Sequence, residues 1–234
     1  MKNVTWSSRF TKQMDAEVLE FSQSLNIDIV LFSSDIKVTI AHVDMLKSCG
    51  HITSTEKKKI ITGLKKVLAL AESGKLKWSV DFEDVHMNIE NALVSVIGDV
   101  GKKIHLGRSR NDLVATDLRL YLRDFIDLYI DQLRDIQFVL ATVALNHSDS
   151  LFPGFTHMQV AQPVTFGHHL LAWCEMIHRD EIRLLNNRES INIMPLGSAA
   201  LSGTSLKLNR PMVAKALGFK SVTKNSMDAV SDRD

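Results

Sequence analysis

The sequence is poor in residues that interrupt helices. Only 4 prolines and 11 glycines are spread over 234 residues, too few to punctuate many short strands, and this favours long helices. Cysteine is scarce as well. Cys49 and Cys174 lie far apart among apolar neighbours, which reads as two buried free thiols in a reducing compartment. There is no excess of one charge: 28 Lys and Arg face 27 Asp and Glu, for a net charge of +1. No global field therefore recruits nucleic acid or an anionic membrane, and any anion recognition must be local. No apolar run reaches the length of a membrane span, and the opening MKNVTWSSRF lacks the apolar core of a signal peptide. The expectation is a soluble cytoplasmic protein with no nucleic-acid and no membrane partner. Phosphate-cradling glycine loops, paired-cysteine zinc spacings, nucleophile elbows and internal repeats are all missing.

What is present is helical periodicity in a composition that is 45% apolar and 24% charged, enough to bury a sizeable core. Residues 1–14 read as polar and irregular, and several medium helices are expected from about Asp15 to Gly101. Lys47 and Gly50 mark a helix end. Thr53-Ser54-Thr55-Glu56 is a capping-box pattern that opens the next helix, which stops near Gly74. After an extended piece over 75–82, Asp81 supplies an N-cap for a helix carrying Val85, Ile89, Leu93 and Val96. Gly98, Gly101 and the Lys102-Lys103 pair form a turn.

The strongest signal begins after Asn111. Val114, Leu118, Leu122, Phe125, Tyr129, Leu133, Ile136, Leu140 and Val143 recur every four or three residues, which implies a helix of roughly 35 residues, about 50 Å long. Leu120, Ile126, Ile130 and Phe138 form a second apolar row, so this rod is expected inside a bundle. Pro163 is expected in the first turn of a further helix that runs to about Arg188, with Phe166, Leu170, Cys174 and Ile177 on one face. MPLGSAALSG (194–203) reads as a loop, Asn209-Arg210-Pro211 opens a short helix, and Asp228 to Asp234 resembles a helix start that is cut off. The fold class is all-α: an N-terminal helical domain, 1–104, followed by the first, incomplete part of a long-helix bundle, 105–234.

Three polar clusters break this apolar pattern. Arg108, Ser109, Arg110, Asn111 and Asp112 crowd the mouth of the long helix. A helix N-terminus offers unpaired N–H groups and the positive end of the dipole, and arginines there suit a carboxylate or phosphate. The alternative is a cap at Asn111 or Asp112 with arginines pairing to other helices. Thr156, His157, Gln159 and Gln162 follow a Pro-Gly turn, where a histidine is placed for proton transfer or simply caps a helix. Glu83, Asp84, His86, Asn88 and Glu90 form the third cluster. His86 and Glu90 are one helical turn apart, a spacing that would suit a metal, but no third ligand is apparent, and the cluster also reads as a solvated helix face. His168-His169 point different ways on a helix and read as structural.

Taken in order, the segments EDVHMNIE (83–90), HLGRSRND (105–112), PGFTHMQVAQP (153–163), PLGSAALSG (195–203) and NSMDAVSDRD (225–234) resemble those of the argininosuccinate lyases, a family of the fumarase/aspartase superfamily. WSSRF (6–10) is similar to that family's N-terminal W-G-G-R-F, with serines in place of both glycines. The resemblance spans essentially the whole chain.

The resemblance implies β-elimination of argininosuccinate to L-arginine and fumarate, in arginine biosynthesis, by a cofactor-free and metal-free homotetramer acting on a small molecule. A base removes a proton next to a carboxylate, and an acid assists cleavage of the C–N bond. Such a site must grip two carboxylates and stabilise extra negative charge on one of them. By similarity Arg110 and Asn111 bind substrate carboxylate, supported by Arg108 and Ser109. Thr156 and the proton-transferring His157 sit at the reacting end with Gln159 nearby. Ser24, Asp28 and Asn88 match substrate contacts, and His86 stands close to the site. Leu106, Leu113 and Val160 replace a threonine, a glutamine and an arginine common in the family. The family is roughly twice as long, and the mobile loop that carries its catalytic serine and a substrate-binding lysine has no counterpart here, so the chain alone is expected to be inactive. A lyase for another succinyl substrate, such as adenylosuccinate, and a non-catalytic crystallin-like helical protein are the alternatives.

Overall fold

The structure, a computed structural model, describes residues 15–233. The WSSRF segment at 6–10 lies outside the described residues. The chain opens with α1 (Ala16–Ser22), capped by the Asp15 side chain, and the single turn α2 (Leu25–Asp28). It continues through α3 (Phe32–Ser48) and α4 (Ser54–Glu72). The capping box that opens α4 forms: Glu56 N–H donates to Thr53 Oγ1 at 3.2 Å, and Thr53 N–H donates to Glu56 Oε2 at 2.8 Å.

The next helix, α5 (Val85–Ile97), is capped by Asp84, whose side chain accepts from Met87 N–H, and not by Asp81. The local reason is a 3-10 turn over Val80–Phe82, itself capped by Ser79, followed by Glu83 at φ 65. This turn uses up Asp81 and delivers Asp84 to the first free helical N–H groups. Gly63 sets how closely α4 approaches α5, because a Cβ there would lie 2.7 Å from Leu93 Cδ1 and 2.8 Å from Ile97 Cγ2. Ile36, Val43, Leu46, Ile60, Leu64, Val67, Ile89 and Leu93 close the core between these helices.

A 3-10 segment, Asp99–His105, leads to α6 (Arg110–Asn146), a rod of 37 residues and about 55 Å. Its buried positions include Leu113, Asp117, Leu120, Ile126 and Ile130, whereas Phe125, Tyr129 and Ile136 of the expected main row are exposed. The row read as secondary thus provides more of the buried face. A helix with apolar residues on two sides buries the side for which the chain supplies a partner, and periodicity alone does not say which side that is.

The segment expected to enter a helix at Pro163 is instead an antiparallel hairpin, β1 (Leu151–Thr156) and β2 (Gln159–Thr165). Pro153 and Pro163 face each other in its register, beside a bulge between Pro153 and Phe155. Thr165 caps α7 (Phe166–Ile191) by accepting from His168 N–H. Gly167 permits close contact with the end of α6, since a Cβ would lie 2.4 Å from the Ala144 carbonyl oxygen. His169 is structural, stacking on Phe152 with ring centroids 5.2 Å apart.

Two-residue strands β3 (Ile193–Met194) and β4 (Ser221–Val222) pair in parallel around α8 (Arg210–Ala216), and α9 (Ser226–Ser231) follows, capped by Asn225. The strands are short and helices dominate, so the class is all-α. Residues up to Tyr121 together with those from Ile193 onward form one compact unit, and Leu122–Asn192 form another. Cys49 and Cys174 are free and half-buried. No helix among the described residues is long and apolar enough to cross a membrane.

Candidate active site

The mouth of α6 is built by a reciprocal cap. Ser109 N–H donates to Asp112 Oδ1 at 2.8 Å, and Asn111 N–H donates to Ser109 Oγ at 3.4 Å. The second oxygen of Asp112 accepts from Gly197 N–H and Ala199 N–H, each at 2.8 Å. Asn111 Nδ2 donates to the Ala200 carbonyl at 2.9 Å. Two side chains of the helix mouth therefore pin the small-residue loop 195–203 against it. Burial raises the Asp112 carboxyl above its usual range despite these donors. Arg210 braces the loop from behind through the Leu196 carbonyl (2.8 Å) and Thr223 Oγ1 (2.8 Å). Gly197 must be glycine here, with φ at 91 and a Cβ position only 2.7 Å from Arg210 Cγ.

Arg110 projects from the same mouth. Its Nε lies 2.9 Å from Asp84 Oδ2, and its side chain remains 27% exposed. Asp84 is held above the usual carboxylate range by burial, although Arg110 pulls it down. Asp28 Oδ1 accepts from Val85 N–H at 3.1 Å, and Ser24 Oγ donates to Asp28 Oδ2 at 2.5 Å. The first compact unit thus draws Ser24, Asp28, Asp84 and Arg110 into one neighbourhood, with Ser109 and Asn111 at the same helix start.

Behind this surface the charges are buried. Arg108 Nη1 donates to Thr39 Oγ1 at 2.9 Å, and Thr39 Oγ1 donates to Asp35 Oδ1 at 2.9 Å. His86 Nδ1 lies 2.6 Å from Asp35 Oδ2 and 3.4 Å from Asp117 Oδ2. Asn88 is committed to backbone, accepting from Ser79 N–H and donating to the carbonyls of Ser79 and Asp84. Glu90, the sequence neighbour of His86 on that helix face, pairs with His105 instead at 3.6 Å. His42 Nε2 contacts the Leu106 carbonyl at 2.8 Å, a backbone interaction that the leucine side chain does not disturb. Leu113 is buried in the core and Val160 is exposed.

Asp35 and Asp117 escaped the sequence reading. The available signal was an acid on the apolar face of a helix. Asp35 precedes Ile36 and Val38, and Asp117 lies four after Leu113 and three before Leu120, all of them buried.

Thr156, His157 and Gln159 belong to the second unit, at the tip of the β1–β2 hairpin, and all three are exposed. His157 and Met158 form its two-residue turn at φ 51 and 61, a left-handed conformation normally given to glycine or asparagine. Strain of this kind gathers at functional positions.

Comparison with known proteins follows the same lines. The family described as Lyase matches residues 8–234. Argininosuccinate lyases of Bordetella avium (strain 197N) and Azotobacter vinelandii (strain DJ / ATCC BAA-1303) are 51% and 50% identical over 100% and 99% of this chain. The chain spans about half the length of these curated relatives. Among solved structures, EDDS lyase in complex with formate superposes with a TM-score of 0.77 at 32% identity, over 91% of this chain and 41% of that one. A fumarate lyase:delta crystallin from Brucella melitensis bound to cobalt shares the fold alone, with a TM-score of 0.75 at 16% identity, over 97% of this chain and 53% of that one. A match that runs almost from end to end, on a helical scaffold shared with these enzymes, shows that the chain belongs to the lyase family.

Proposed function

We propose that the chain carries the N-terminal half of an argininosuccinate lyase, a carbon–nitrogen lyase that splits argininosuccinate into L-arginine and fumarate without a cofactor. The observation that carries this reading is the Arg110 clasp at the mouth of α6. One guanidinium stands partly exposed at the positive end of a 37-residue helix, and the Asn111–Asp112 pair fixes a loop beside it. Its partner Asp84 is a carboxylate destabilised by burial, so an incoming dianion can compete for the guanidinium. Identity of about half to argininosuccinate lyases over the whole chain supports the substrate, and an EDDS lyase variant with bound fumarate supports the product class.

In this reading Arg110 and Asn111 grip a substrate carboxylate, with Ser109 supporting from the cap and Arg108 from the buried cluster beneath. Ser24, Asp28 and Asn88 shape the floor and His86 braces it. Thr156, His157 and Gln159 act at the reacting end, and His157 moves the proton. The enzyme is a cytoplasmic homotetramer. Residues 1–104 form its N-terminal domain, and residues from 105 onward begin its helical bundle. The exposed apolar residues Phe125, Phe138, Val139 and Leu145 of α6 and Trp173, Met176 and Leu185 of α7 support an assembly in which other chains cover them.

The test is to express the complete reading frame containing these residues, supply argininosuccinate, and follow the absorbance of the fumarate double bond. Turnover of argininosuccinate and not of adenylosuccinate is expected. A soluble, folded product inert toward argininosuccinate refutes the proposal.

A further inference from the structure

Four ionisable side chains meet in the interior where α3, α5 and α6 converge: Asp35, His86, Asp117 and Arg108, all nearly inaccessible to solvent. Their contacts are unequal. Asp35 is well served, accepting from Thr39 and lying 2.6 Å from His86 Nδ1. Asp117 is not. Neither of its oxygens has a hydrogen-bond partner, and His86 Nδ1, already engaged by Asp35, lies 3.4 Å away. His86 Nε2 is likewise buried without a partner.

Burial demands neutrality. In water near neutral pH the two aspartates carry two negative charges and Arg108 one positive charge. A net charge of minus one would then be sealed in the core. Either a cation or one extra proton must cancel it. The ligand atoms of Asp35, His86 and Asp117 lie within 4.8 Å of one another, but the Arg108 guanidinium acts on both carboxylates. A divalent ion would therefore overshoot neutrality beside a fixed positive charge, whereas a proton restores it.

We propose that Asp117 is a positioning residue that works as a neutral, proton-bearing carboxyl, so that the Asp35–His86–Asp117–Arg108 cluster is uncharged beneath the substrate clamp. The proposal rests on the lyase reading only for its consequence at the clamp. Asp117 follows Arg110 by seven residues, two helical turns along the same face. An ionised carboxylate there would oppose the dianion that Arg110 and the helix dipole are placed to attract. The charged and titratable groups acting on Asp117 are Asp35 on α3, His86 on α5, and Arg108, Arg110 and Asp112 at the start of α6. Burial and the charge of Asp35 push the Asp117 carboxyl well above its usual range, while His86 and Arg108 hold Asp35 below its own despite burial.

The same conservative substitution must therefore act oppositely at the two aspartates. Asn imitates a protonated carboxyl and does not titrate. Wild type loses stability once the unfolded chain releases the Asp117 proton that the folded chain retains, so the melting temperature of Asp117→Asn relative to wild type should climb as pH rises from about 4. Asp35→Asn should fall below wild type by more than about 3 °C at neutral pH, and that deficit should shrink toward acid. Both are read by circular dichroism on the full chain. An infrared difference spectrum of wild type minus Asp117→Asn at neutral pH should contain a protonated-carboxyl C=O stretch.

In the complete lyase, Asp35→Asn should raise KM for argininosuccinate at least about tenfold more than Asp117→Asn does, because it leaves the buried Arg108 without its carboxylate and so loosens the start of α6 that carries the clamp. A flat or falling difference for Asp117→Asn, a missing carboxyl band, equal KM penalties, or saturable cobalt(II) binding that Asp117→Asn abolishes would overturn the proposal. The infrared and melting measurements decide it even if argininosuccinate proves to be the wrong substrate.

Discussion

Arg108 and Arg110 stand two positions apart and serve different ends. Arg108 is buried, donates to Thr39 and faces Asp35 and Asp117, and burial lowers its pKa. Arg110 is clasped by Asp84 and keeps solvent access. Removing Arg108 strands a buried carboxylate, so Arg108→Ala should cost the fold about 3–5 kcal/mol in urea unfolding. Arg110→Ala should leave the fold largely intact and lower kcat/KM of the complete lyase by at least about 2 kcal/mol, roughly thirtyfold, because a charge-assisted grip on the substrate is lost. Equal stability losses for the two variants, or an unchanged kcat/KM for Arg110→Ala, would show that this division is wrong. The R-S-R-N-D run made the cluster visible in the sequence, and the cap alternative read there was right in part, since Asp112 caps and Arg108 pairs inward. Which arginine turns inward was not legible. That depends on Asp35 and Thr39, more than sixty residues upstream, and on a helix boundary that pattern alone places only to within a few residues.

The hairpin shows the same limit for elements. Pro163 suits a helix start as well as a strand, and the period-two alternation that would mark a strand is weak in QVAQPVT, where Ala161 and Pro163 dilute it. Pairing with Leu151–Thr156 decided the outcome, and pairing is non-local information. Capping signals are local and proved legible: Thr53–Glu56 opens α4, and Asn209 with Pro211 opens α8. Asp81 failed as a cap because a 3-10 turn intervened and passed the role to Asp84. The hairpin turn invites its own test. Met158 is 93% exposed at φ 61, so Met158→Gly relieves left-handed strain without removing packing. Thermal unfolding should report a gain of about 0.5–1 kcal/mol. A loss would mean that the methionine side chain makes a contact worth more than the strain.

At the scale of the whole molecule, the helical class and the long rod were legible from periodicity, because 3.6-residue spacing over 37 residues has no competing explanation. The side of that rod the chain would bury was not, since apolar residues line two of its sides and it is Leu120, Ile126 and Ile130 that are buried while Phe125, Tyr129 and Ile136 stay exposed. The response of the fold to acid is carried by a buried histidine. His42 Nε2 serves the Leu106 carbonyl, while Nδ1 is buried without a partner. Protonating Nδ1 would place a cation in the core beside Arg108, and burial, then the Arg108 charge, push the His42 pKa down from 6.5 to about 3. The unfolded chain takes up this proton below about pH 6.5, whereas the folded chain refuses it until about pH 3. Stability is therefore full above the higher value and drains as pH falls through that window, by an amount on the order of 5 kcal/mol at its limit. The lowered Asp35 drains stability toward acid too, in its own range, while the raised Asp112 and Asp117 act in the opposite sense. His42→Gln keeps a donor for the Leu106 carbonyl and does not titrate. Urea unfolding at pH 7 should find the variant somewhat weaker than wild type through imperfect packing. Repeated at about pH 4.5, the same titration should find the gap closed or reversed, because wild type alone carries the histidine penalty. A gap that stays constant between the two pH values would mean that His42 accepts its proton as readily inside the fold as outside it.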